Sequence, residues 1–215
     1  MRKPLTYWLK VLLVLALSFF SYLMLRLSLP YIAMRNDVDF LQTKQNVYHI
    51  DYWRTSFYVH VFTSIFVLLA GLTQFNKFLQ RRYKRIHQFI GYMYVLLVVL
   101  VTGPAAFMMG WHANGGLPAR TSFTLLAFLW VVSTAFAWWF ATRKNFVQHR
   151  AFMIRSYALT LSAIALRLYT IGFEYLNLDA KPIEIYITTA WLSWVPNLII
   201  AEIIINYRKK KIVDR

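Results

Sequence analysis

The sequence predicts an all-α integral membrane protein, a bundle of six transmembrane helices with both termini on the cytoplasmic side. Three observations carry that reading. The chain is 59% hydrophobic and only 15% charged, with mean hydropathy +0.47, where a soluble domain of 215 residues would carry more charge. Six apolar stretches each approach or exceed the ~20 residues that cross a hydrocarbon core. The basic residues cluster between those stretches, alternately crowded and sparse along the chain.

The first stretch, 11–31, has Lys10 and Arg26 placed to snorkel from either end. Its opening Met1-Arg2-Lys3 matches the front of a signal peptide. No convincing small-x-small cleavage site follows and the run is long, so a retained anchor is expected. The loop 33–55 is too short for an independent domain, and Tyr48, Tyr52 and Trp53 suit a short interfacial helix. The second stretch is 56–75. The third, 89–110, should be bent or loosened by Gly103-Pro104. A turn-rich connector through Asn114-Gly115-Gly116 leads to the fourth, 121–141, whose Trp138-Trp139-Phe140 run reads as an interfacial belt. The fifth is 151–173, and the sixth is 185–207 with Pro196 as an expected kink.

Counting basic residues sets the orientation. With the N-terminus inside, the inner segments hold Arg2, Lys3, Lys10, Lys77, Arg81, Arg82, Lys84, Arg85, Arg143, Lys144, Arg150, Arg208, Lys209, Lys210, Lys211 and Arg215. The outer segments hold only Arg35, Lys44, Arg54, Arg120 and Lys181, while Asp37, Asp39, Asp51, Glu174, Asp179 and Glu184 all fall outside. The formal net charge of +16 is therefore read as a topology signal, and nucleic acid is not expected as a partner. The bilayer is the expected partner, with anionic lipid meeting the basic tail after Tyr207. The absence of cysteine excludes disulfides, thiol catalysis, iron–sulfur clusters and Cys-ligated zinc together. Three regions follow: an anchor helix and outer loop (1–55), a four-helix core with polar stripes (56–175), and the sixth helix with its tail (176–215).

The fifth stretch organises the core. At about 100° per residue, His149, Ser156, Thr160, Ala163, Arg167 and Glu174 fall on one face, a polar stripe ~27 Å long. A charge inside a bilayer costs at least ~2.5–3.5 kcal/mol, so this face should turn toward protein or water. Arg155 points elsewhere and matches the depth of Glu202 in the sixth stretch, which predicts an ion pair. The second stretch carries its own stripe of His60, Thr63, Gly71 and Gln74, in which Gly71 allows a close helix approach.

Four histidines sit at or near span ends: His87 and His149 at matched inner depths, His60 and His112 toward the outside. Imidazole pairs on facing helices are the usual ligands of membrane b-type haem, with Arg85, Arg150 and Arg155 placed to meet propionates. Two alternatives stand beside haem. One is a transporter or small-ligand protein, binding an anion or a quinone in a cavity lined by His60, Gln74 and Arg167. The other is a set of purely structural polar contacts. A metal site from His60, His112, His49 and Asp51 is a further outer-side option, although no HExxH or compact His/carboxylate spacing supports zinc hydrolysis.

From His60 to Arg167 the pattern resembles the bacterial membrane-protein family known as domain of unknown function 2306. The matching residues are His60, Gly71 and Gln74; His87, Gly91 and Tyr94; Gly116; Trp130; and the specific run His149-Arg150-x-x-Met153-x-Arg155-Ser156-Tyr157 with Arg167. Gln88 stands where an arginine usually follows the histidine, and Phe152 where a tryptophan usually precedes the methionine, so no role for that arginine carries over. The resemblance implies a multi-pass protein of the bacterial inner membrane and supplies no reaction. The four-histidine layout is also similar to di-haem cytochrome b561-type bundles, a likeness of fold alone. The expected site residues are His60, His87, His112, His149, Arg150 and Arg167, with Gln74 and Tyr157 toward a ligand cavity.

Overall fold

Long apolar runs satisfy their backbone groups internally only as helices, and helices account for all six stretches. The structure is a computed structural model describing residues 4–177 and 180–213. Arg2, Lys3, Asp179 and Arg215, used above for orientation, lie outside the described residues. Among the described residues six helices are long and apolar enough to span: α1 (Val11–Ala33), α2 (Asp51–Gln74), α3 (Lys84–Trp111), α4 (Gly116–Thr142), α5 (Phe146–Tyr175) and α6 (Pro182–Lys210). Most outrun the apolar stretches because polar residues extend their ends. Asn145 N-caps α5, accepting from Gln148 N–H, and Asn76 caps the short connector helix Lys77–Arg82, accepting from Phe78 and Leu79 N–H.

Helices α2 to α5 form an antiparallel bundle in which each packs on its successor and α5 returns to α2. Helix α1 lies against α2 and, more thinly, α5, while α6 covers α4 and α5. The core gathers Val67, Tyr94, Val98, Trp130, Ala137, Met153, Leu159 and Trp194. Outward faces remain apolar, with Leu12, Leu15, Phe66, Phe89, Leu100, Phe128 and Ile203 all exposed; in a bilayer these faces contact lipid. Trp138 and Trp139 are exposed as a belt would be, and Arg143 caps the Trp139 ring at 4.5 Å.

Three spans are interrupted. In α3 a π-helical turn, Leu97–Thr102, precedes Gly103-Pro104, so the expected loosening lies just upstream of the pair. Any β-carbon on Gly103 would stand 2.3 Å from the Val98 carbonyl. In α6 the helix breaks after Leu192 and restarts at Val195, beside the kink expected at Pro196. The interruption of α5 at Leu161 was not expected. It follows Thr160, whose hydroxyl donates back to the Ser156 carbonyl at 3.1 Å, a bond that bends helices.

The loop 33–55 does contain short helical turns, Asp39–Lys44 and Gln45–Tyr48. They fold over an aromatic cluster of Tyr31, Trp53 and Phe57 with Leu41.

Candidate functional site

Antiparallel packing brings the basic connectors, residues 76–83 and 143–145, to one end of the bundle, and the depth of each polar group follows from its distance to a helix end. His87 lies three residues into α3 and His149 three residues into α5, so both stand ~5 Å above the basic end. They come close enough for their charges to interact across the bundle diagonal. His149 donates from Nδ1 to the Ala137 carbonyl at 2.8 Å, if that nitrogen carries the proton, which leaves Nε2 free. His87 Nδ1 is buried without a hydrogen-bond partner among the described residues. Arg150 and Arg85 are exposed beside them. Arg155 is committed to Glu202 through Nε and through Nη2, the latter at 2.9 Å, and stacks on Phe152 at 4.8 Å. It is therefore taken out of the set expected to meet propionates.

Gln74 and Tyr157 line the same half. Tyr157 is held at Gly71, where a β-carbon would meet the ring at 2.1 Å, and its hydroxyl donates to the Leu68 carbonyl at 3.4 Å. Gln74 lies beside Gly91, whose added β-carbon would stand 3.1 Å from Gln74 Oε1.

At mid-depth five side chains close a buried network. Tyr94 bonds Ser156 Oγ at 2.7 Å and Thr160 Oγ1 at 2.9 Å, Trp130 Nε1 donates to Thr160 at 3.0 Å, and Thr134 meets Ser156 at 2.7 Å. This network ties α3, α4 and α5 together and occupies the middle of the α5 polar stripe, leaving its two ends for other work.

At the opposite end, His60 sits ~14 Å into α2 and Arg167 ~12 Å from the end of α5. Arg167 lies within electrostatic range of His60 and of Tyr31. His60 Nδ1 bonds the Thr102 carbonyl at 3.2 Å, at the last residue of the π-turn, and Thr63 bonds Thr102 Oγ1 at 2.8 Å. Arg167 Nη1 donates to the Ala163 carbonyl of its own helix at 3.1 Å, and among the described residues it forms no ion pair.

His112 is held apart from His60. Its Nε2 bonds Tyr52 Oη at 2.7 Å, outside the end of α3. Burial and the neighbouring Arg120 and Lys44 charges push its imidazole below the usual range, so it is neutral at pH 7. Among the described residues no three of His, Cys, Asp or Glu come together, and Asp51 pairs with Arg54 at 2.6 Å.

Residue-by-residue reading missed Lys44. Its side chain is 2% exposed and Nζ donates to the His112 carbonyl at 2.7 Å and to Asn114 Oδ1 at 2.8 Å, clasping the outer loop to the α3–α4 connector. A lysine in a polar loop carries no sequence signal for such burial. Tyr31 was missed as well, since an aromatic at a span end reads as an interfacial anchor.

The family model described as "Predicted membrane protein (DUF2306)" matches residues 57–205, well over half of the chain. No curated protein and no solved structure matches.

Proposed function

The chain belongs to the DUF2306 family of predicted membrane proteins, and from that premise we propose that it is a b-type haem-binding electron-transfer component of the membrane, in which His87 and His149 would hold the iron. One observation carries the reading. Two imidazoles on diagonal helices stand at equal depth and within electrostatic range of each other, one with its Nδ1 pinned by a backbone carbonyl and the other with a buried nitrogen that has no partner among the described residues. An unmet buried donor or acceptor costs about 1–3 kcal/mol, so His87 is poised for a partner that protein atoms do not provide. A haem iron held by these two imidazoles would supply one-electron transfer.

The chain's own contribution is orientation. The Ala137 carbonyl fixes the His149 tautomer and raises the basicity of Nε2. Exposed Arg85 and Arg150 supply cations for carboxylates at the bundle end. The outer histidines are not assigned a second haem, because Tyr52 holds His112 Nε2.

The spectrum of protein purified in detergent from haem-replete cells tests this. The expected result is a Soret band that shifts on dithionite reduction and disappears in His87→Ala and His149→Ala. A colourless wild-type protein would overturn the reading and leave the histidines as structural contacts.

The competing reading is a transporter or ligand binder with a single cavity lined by His60, Gln74 and Arg167. That Arg167 forms no ion pair among the described residues favours it. The ~21 Å separating His60 from Gln74 along α2 counts against one shared pocket.

The distribution of charge supports placing the basic end in the cytoplasm, with both termini there, in a bacterial inner membrane. On this reading the tail beyond Tyr207 lies on anionic lipid rather than nucleic acid. Residues 1–55, 56–175 and 176–215 then serve as anchor and cap, polar core, and covering helix with tail.

A further inference from the structure

The loop 33–55 does not seal against the end of α2. Between them lies a cavity of about 360 Å³, walled by Met34, Tyr48, Arg54, Thr55 and Tyr58. Hydroxyls hold its shape. Met34 sits in a left-handed turn (φ 50°), and its carbonyl accepts from Tyr48 Oη at 3.3 Å. That commits the Tyr48 hydrogen, so Tyr58 donates to Tyr48 across 3.2 Å. The Arg54 guanidinium lies over the Tyr48 ring at 5.7 Å. Among the described residues the Thr55 hydroxyl has no hydrogen-bond partner.

The charges here come as a pair. Arg54 gives Nη2 to Asp51 Oδ1 at 2.6 Å, and among the described residues its other nitrogens bond nothing. Asp51 does not wall the cavity; its side chain is 86% exposed at the rim, with Oδ2 open. An exposed pair three residues apart on a helix contributes only ~0.3–0.5 kcal/mol, so both groups stay available to a ligand. An anion alone would lose to Asp51 much of what it gains from Arg54. A zwitterion matches both, with a phosphate on Arg54 and Thr55 and a primary ammonium on Asp51.

A second observation accounts for the rest of the ligand. Thr55, Tyr58, Phe62, Phe66 and Leu69 recur at spacings of three and four, which puts them on one face of α2. Tyr58 stacks on Phe62 at 6.3 Å, and Phe66 and Leu69 are exposed. This face lies roughly 140° around the helix from the His60, Thr63, Val67 and Gly71 stripe that packs into the bundle. Tyr58 belongs to both cavity and stripe, so a polar cavity at a span end runs on into an apolar track along the hydrocarbon. We propose that the cavity at Arg54 binds the headgroup of an ethanolamine phospholipid whose acyl chains lie along the Tyr58–Leu69 face. The site is separate from the histidine pair, and it needs the loop 33–55, which precedes the family-matched residues 57–205.

The test is native mass spectrometry of the full chain in detergent micelles with equimolar dioleoyl phosphatidylethanolamine, phosphatidylcholine and phosphatidylglycerol. Ethanolamine lipid should be bound severalfold more than either of the others, because the choline headgroup offers Asp51 no N–H donor and the glycerol headgroup no cation. Arg54→Gln should weaken its binding at least fivefold. Asp51→Asn should abolish the preference over choline lipid and raise binding of the anionic glycerol lipid above both. Soluble O-phosphoethanolamine in equal concentration should displace nothing, since it has no chains for the stripe. If Arg54→Gln does not fold, Asp51→Asn and Thr55→Val decide the matter, the latter with a severalfold loss. Equal binding of the three lipids to wild type, an unchanged preference in folded Asp51→Asn, or displacement by the soluble phosphate ester would each overturn the proposal.

Discussion

At the scale of single residues, this chain stabilises polar groups in lipid by matching their depths. Arg155 and Glu202 lie on different helices 47 residues apart, yet counting turns from the basic ends was enough to pair them. Arg155→Leu is expected to lower stability by about 1–2 kcal/mol, nearer the range of interhelical polar contacts than the 3–5 kcal/mol of a fully enclosed pair, because this one stands on the bundle rim. Glu202→Leu on that background should recover part of the loss in a thermal melt, and additive losses would rule out a direct contact. Gly71 makes the converse case, where the essential feature is an absent atom. An alanine there places its methyl in the Tyr157 ring, so Gly71→Ala should cost about 1–3 kcal/mol. Combined with Tyr157→Ala, the cost should be smaller than the two single losses added, and a full sum in the melt would show that the ring yields at no cost.

At the scale of elements, the helices were legible and their interruptions only in part. Hydrophobic length located all six spans, and Pro104 and Pro196 marked two of the three places where a helix changes geometry. The break at Leu161 has no glycine or proline to announce it; it depends on where the Thr160 hydroxyl turns, which only packing against Tyr94 and Trp130 decides. The site residues follow the same division. His87, His149 and Arg167 could be read from helical phase, whereas Tyr31 and Lys44 come from the loop side and meet their partners through a fold-back that no period describes. Lys44 offers a pH test of that fold-back. Burial, then the charge of Arg120, brings its ammonium down from the ordinary 10.5 to about 8. The folded state therefore binds fewer protons at this site than the unfolded chain between about pH 8 and 10.5, and its stability contribution rises with pH across that window. The advantage of wild type over Lys44→Met in thermal melts should accordingly grow from pH 8 toward 10.5. A constant difference would mean that the ammonium is as well solvated in the clasp as in water.

At the scale of the whole molecule, charge asymmetry and polar chemistry become one question, because the histidine pair and Arg167 occupy opposite ends of a single bundle. Antiparallel helices place every basic connector at the His87–His149 end, and the fewer basic residues of the loops at the Arg167 end are mixed with acids. Insertion responds to lysine and arginine near span ends, so the crowded end should remain in the cytoplasm. Reporter fusions after Arg215 and before Met1 should then both read cytoplasmic, and a glycosylation or thiol-labelling probe introduced at Asn114 should read outside. Removing charge tests the cause rather than the outcome. Replacing Arg81, Arg82, Lys84 and Arg85 together by neutral residues takes away the largest internal cluster and should produce a mixed population in the Asn114 assay. Termini on opposite faces would break the six-span count itself, and with it the matched depths that bring His87 to His149 and Arg167 to His60.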